Sequence, residues 1–164
     1  MTSCLAYYFQ NPVPVDARNY KSMPKHILGE WIIEDGKLAI DKEKWVSIIT
    51  DSNGVVNKKV EYVLSDSLVI KKYKQYFFIN QLDKNGFWTL YVGHRVDKSF
   101  LIKRLGAADS LKFETVLGIL PDSTSGKSLF YCKPIKKKQI KKVIDNDGFS
   151  DTLFRFDLKT RKMN

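Results

Sequence analysis

The pair Asn85-Gly86, set between two aromatic-rich runs, constrains this chain more than any other feature. Tight hairpin turns need positive φ at their central positions, which Asn and Gly tolerate best. The chain is therefore expected to reverse there, pairing Tyr76 to Gln81 with Phe87 to Val92 as antiparallel strands. The same grammar recurs along the chain. Trp31-Ile32-Ile33 passes through Glu34-Asp35-Gly36-Lys37 into Leu38-Ala39-Ile40. Trp45 to Thr50 closes at Asp51-Ser52-Asn53-Gly54, and Val60 to Leu64 closes at Ser65-Asp66-Ser67. Leu68 to Tyr73 turns through Lys74-Gln75, and Phe100 to Leu105, Leu111 to Leu117 and Leu129 to Cys132 read as further strands. Val, Ile, Tyr, Phe and Trp dominate runs too short for helices. Strands spaced by about eight to twelve residues belong to a β-sandwich or barrel, and short turns make neighbours in sequence neighbours in space.

One segment departs from this pattern. In Lys133 to Asn146, Pro134 stands near a helix start, and Ile140, Val143 and Ile144 share one face with Ile135. Gly148 follows, so an amphipathic helix of about three turns is expected over 135–146. Thr152 to Leu158 then returns to strand. The expected fold is all-β: a single antiparallel meander forming a barrel or sandwich, with one short C-terminal amphipathic helix followed by a last strand. Residues 28–164 form the β domain. Residues 1–27, with Pro12, Pro14 and no clear period, read as an extended tether.

The chain of 164 residues carries a net charge of +10. Such a balance suits an anionic partner, either nucleic acid, a lipid surface or an acidic protein. The cations are 23 lysines and only five arginines, and bidentate reading of bases favours Arg. That composition disfavours specific nucleic-acid recognition. Lys136, Lys137, Lys138, Lys141 and Lys142 on the expected helix are the candidate contact to a membrane or other anion, or else the solvated face of a docked helix.

Catalytic constellations are sparse. His26 and His94 have no partner at catalytic or metal-ligand spacing, and no metal site or cofactor is expected. Asp35, Asp51, Asp66, Asp83, Asp97 and Asp109 sit where turn-forming aspartates belong. Pro121 to Ser128 ends like a phosphate-binding P-loop, but Pro121 replaces its first glycine and a strand follows instead of a helix. Cys132, within an apolar run, is expected to be a buried, inert thiol. The chain is not expected to be an enzyme.

Met1-Thr2-Ser3-Cys4 resembles the end of a bacterial lipobox, which makes Cys4 the candidate lipidation site. Leu5-Ala6-Tyr7-Tyr8-Phe9 would then lie at a bilayer interface. Gly29-Glu30-Trp31 resembles the Gly-x-Trp element that opens the first strand in lipocalin-like families. Together these features resemble a Bacteroidetes-type outer-membrane lipoprotein with a lipocalin-like β body. The resemblance implies a lipid-anchored envelope protein on the periplasmic side of the outer membrane, binding or scaffolding beside an outer-membrane protein complex. An alternative is a carrier of a small apolar ligand, with Trp31, Trp45, Phe78, Trp88 and Phe100 lining its cavity or filling its core. A second alternative is a cytosolic nucleic-acid-binding barrel that uses lysines and Tyr73, Tyr76 and Phe77.

Overall fold

The structure, a computed structural model, describes residues 5–64 and 67–163. It is mostly β, with a curled half-barrel sheet, a second sheet and two short helices. The second sheet is the meander β3 (Gly29–Ile33), β4 (Gly36–Ile40), β5 (Lys44–Thr50) and β6 (Val56–Val63). The larger sheet continues the meander through β7 (Leu68–Tyr73), β8 (Tyr76–Leu82), β9 (Trp88–Val96) and β10 (Ser99–Arg104). The last strand, β13 (Asp151–Asp157), pairs antiparallel with β10.

The reversal at Asn85-Gly86 is present, but its turn is wider than the sequence implies. The Asp83 carboxylate accepts the Asn85 and Phe87 amides, each at 2.9 Å, and only Gly86 of the pair takes positive φ. An aspartate-organised loop thus replaces a tight two-residue turn.

Residues 5–27 are not a tether. β1 (Ala6–Phe9) lies in the larger sheet, parallel to β12 (Ser128–Tyr131) and joined to β9 at Phe9 and Trp88. Tyr7 and Phe9 face inward and are buried, so these two rings face the core and not an outer surface. Burying one such ring contributes about 2 kcal/mol, which a free tether would forgo. Past the prolines, Val13, Met23 and Ile27 are buried as well. A two-residue strand, β2 (Arg18–Asn19), pairs with β7, and Lys25–Ile27 forms a 3-10 turn. The domain therefore begins ahead of residue 28.

Leu111 to Leu117 is also corrected. It lies in a helix, α1 (Asp109–Leu117), which buries Phe113 against the sheet and sets Leu117 one turn further along the same face. The buried Asp109 carboxylate fixes its start by accepting the Gly106 amide at 2.7 Å and the Ser150 amide at 3.1 Å. The Ser/Gly stretch before β12 holds a short strand, β11 (Ser123–Ser125), paired back onto β12. The expected amphipathic helix is present as α2 (Lys137–Asp145), with Ile140 and Val143 fully buried.

Two cores lie on the two faces of the larger sheet. Phe78, Leu90 and Val92 pack with Tyr7, Phe9, Phe113, Tyr131 and Ile140 beneath the helices. Ile70, Ile79, Phe100 and Ile102 pack with Trp31, Leu38, Ile40 and Phe156 against the second sheet. Asn80 is the one fully buried amide side chain in this arrangement among the described residues. Its Oδ1 accepts the Val13 amide at 2.8 Å, and its Nδ2 donates to the Val13 carbonyl at 3.0 Å. The side chain thus pins the N-terminal segment onto β8. Asn80→Ala strands both Val13 groups in a dry interior and is expected to cost about 3 kcal/mol. Urea unfolding checks this through a lower midpoint at unchanged slope.

Candidate functional site

Between the two sheets, on the Ile70–Ile79 face, lies an apolar pocket of about 300 Å³. One wall follows from strand alternation in β5 and β6. Trp45, Ser47 and Ile49 project on one side of β5 and stand opposite Tyr62, Val60 and Lys58. The other wall comes from cross-strand pairs of the larger sheet: Leu68 with Gln81, Ile79 with Tyr91, and Ile102 with Phe154. The Trp45 ring lies 6.0 Å from Phe154 and 6.1 Å from Phe156, closing the pocket's inner end.

Few polar groups reach this space. Tyr91 is buried deeply enough to push its phenol above the usual range, although a hydrogen bond with Thr89 opposes the shift. Its hydroxyl therefore stays protonated and able to donate. Tyr62, Gln81 and Ser47 add polar atoms, and Lys58 is an exposed cation at the rim. No carboxylate, histidine or cysteine lines the pocket among the described residues. A mostly apolar lining with a few polar atoms has the shape and chemistry to receive a small apolar molecule.

The residues anticipated from sequence are dispersed. Only Trp45 lines the pocket. Trp31 is fully buried and packs edge-on to Phe156 at 4.8 Å. Phe100 is core, with its ring over Gly93, where even a Cβ would come within 2.8 Å of it. Phe78 and Trp88 belong to the opposite face, so neither can line this cavity. Sequence reasoning missed Ile49, Lys58, Tyr62, Gln81 and Tyr91. Their alternation was visible, but not which strand faces would meet.

The α2 lysines divide by role. Lys137 and Lys141 place their ammonium groups 5.7 and 5.9 Å from the Tyr73 and Tyr76 rings, and Lys141 also pairs with Asp145. Lys136, Lys138 and Lys142 are exposed. Cys132 is exposed rather than buried, because strand alternation turns it outward after Tyr131. Cys4 and Asp66 lie outside the described residues. Asp51 and Asp83 accept turn amides as expected. Among the described residues, no group of three His, Cys, Asp or Glu side chains is placed to hold a metal ion.

Comparison with family models, with curated proteins and with solved structures returned no match.

The two histidines sit on opposite faces of the larger sheet, and both are held below their usual pKa. Burial is the main cause for each. The charges of Arg95, Lys25 and Lys72 add to it at His26, and that of Lys103 at His94. The unfolded chain therefore takes up these protons first as pH falls. Their contribution is present in full above about pH 6.5 and lost below it. Stability to urea should be lower at pH 5.5 than at pH 7.5, and a His26→Gln/His94→Gln double variant should show a smaller difference.

Proposed function

We propose that this protein is a non-enzymatic binding module that takes one small apolar molecule into the pocket between its sheets. The observation that carries the reading is the 300 Å³ space itself, walled by apolar side chains from both sheets. A filled interior would have left no room. Tyr91, Tyr62 and Gln81 supply hydrogen bonds to orient a ligand, and Lys58 meets a polar or anionic end at the rim.

Binding of N-phenyl-1-naphthylamine, read by its fluorescence, tests this. The wild type is expected to bind one equivalent with a Kd of about 1–10 μM. Ser47→Trp, which fills the pocket from β5, should weaken binding at least about tenfold. Circular dichroism and the urea midpoint would establish that the variant is folded. Absence of binding, or undiminished binding by folded Ser47→Trp, would overturn the reading.

A second reading, a lipid-anchored envelope protein serving at the outer membrane beside a protein complex, rests on Cys4. Its support is an apolar patch next to the anchor point. Leu5, covalently joined to Cys4, lines a shallow depression with Leu111, Leu120 and Leu129. Leu111 and Leu120 are 61% and 58% exposed, which is unusual for leucines this close together. With residues 6–9 built into the sheet, acyl chains on Cys4 would bring this patch directly against a bilayer. Intact-mass measurement of protein extracted from its host's membranes should find diacyl or triacyl Cys4 with Met1 to Ser3 removed. An unmodified Cys4 would refute this reading and leave the pocket reading untouched.

A further inference from the structure

The inter-sheet core has a second open end, and its chemistry is the reverse of the first. Beyond Ile79, the same face of the larger sheet runs out into a cleft of about 310 Å³. Phe100 and Phe77 form its apolar base. Tyr20, 37% exposed, stands edge-on to Phe77 with ring centroids 5.5 Å apart. Three cations surround these rings: Lys25 from the 3-10 turn, Lys72 from β7 and Arg95 from β9; Lys74, at the hairpin tip, also borders the cleft but holds its ammonium 5.6 Å from the Tyr73 ring. His26 lies among them, stacked on Phe100 at 6.1 Å.

This charge has no counterweight in the cleft among the described residues. No carboxylate lines the cleft, and none of the four cations joins an ion pair among the described residues. Lys72 and Arg95 are nevertheless held in place. The Lys72 ammonium sits 5.3 Å from the Tyr20 ring centroid and 5.1 Å from that of Phe77. The Arg95 Nε donates to the Asp97 carbonyl at 3.0 Å, which fixes the guanidinium. Arg95, Lys25 and Lys72 each act on His26 to disfavour its charged form, so their fields overlap inside the cleft.

We propose that this cleft is a recognition site for a small organic phosphate, a phosphate monoester or diphosphate carrying a flat group. Its place and chemistry are separate from those of the apolar pocket. One carboxylate would neutralise one of three converging charges. A phosphate dianion or diphosphate offers several oxygens, which a guanidinium fork and two ammonium groups can share. Tyr20 and the His26 ring give the organic part a surface to lie on. A nucleic-acid strand fits less well. Tyr73 and Tyr76, which would extend a stacking path, lie beneath Lys137 and Lys141 on the far side of the hairpin.

Isothermal titration calorimetry with sodium pyrophosphate and with phenyl phosphate, at low ionic strength, tests the site. Saturable binding of one equivalent is expected, weakening as salt is added. Arg95→Gln and Lys72→Gln should each weaken it about tenfold. Lys138→Gln, an equally exposed charge on α2, should leave it unchanged. Bound anion should raise the pKa of His26, read by NMR titration of its ring protons, because the anion offsets the cations that hold it down. Four results would overturn the proposal. These are no binding at millimolar probe, equal weakening by Lys138→Gln, no response at His26, or tighter binding of an oligothymidylate than of either small probe through the same Arg95 and Lys72. The last would assign the cleft to single-stranded nucleic acid. Naphthylamine binding in the apolar pocket should persist in all three variants, which separates failure here from failure there.

Discussion

Everything in this fold follows from a sheet that is buried on both faces. Along β8, Phe77, Phe78, Ile79 and Asn80 are all buried, although alternate residues point to opposite sides. A sheet of this kind needs two covers. Helices α1 and α2, with Tyr7 and Phe9 of β1, close one face, and the β3–β6 meander closes the other. Asn80 is the polar exception on the helix side. It is tolerated because its amide replaces, for Val13, the backbone partners that the adjoining irregular segment lacks. The ordered N-terminal segment is thus a condition of the first core.

The inter-sheet core shapes the two openings. Trp31, Phe100, Phe156, Ile70 and Ile79 fill its centre and leave its two ends to diverge. At one end, the facing walls of β5, β6 and the larger sheet are apolar and keep a gap between them. At the other, strand ends and turns bring lysines and Arg95 over the same aromatic base. One hydrophobic plug thereby separates two chemically distinct openings. Gly93 contributes to that plug, since it is the absence of a side chain there that lets the Phe100 ring approach β9 closely.

Local order was legible in the sequence; long-range order was not. The turns from Asp35-Gly36 through Asn85-Gly86 located the β3–β10 meander, and Ile140 with Val143 located α2. The four residues of β1 are too few to display a period, and their main partner, β12, lies far along the chain. Helix α1 hid because Leu111 to Leu117 is as apolar as a strand, and a short apolar run fits either state. Tyr76 to Leu82 is apolar on both faces, so alternation could not reveal that it serves two cores. Trp45 was identified as a candidate lining residue, but its partner Tyr62 was not, because their pairing depends on register. The basic cleft draws its cations from separate elements, and no window of sequence brings them together.

The parallel pairing of β1 with β12 bears on how the molecule is made. Ala6 to Phe9 leave the ribosome well before Trp88 and Ser128, their sheet neighbours. Closing so long a loop is slow compared with zipping adjacent hairpins. β1 must therefore wait unpaired while the meander forms, since β9 keeps only its Trp88 end free of β10 and β12 is not yet made. Until β12 arrives, the unpaired backbone of β1 is a point at which a newly made chain is exposed to pairing with a neighbour.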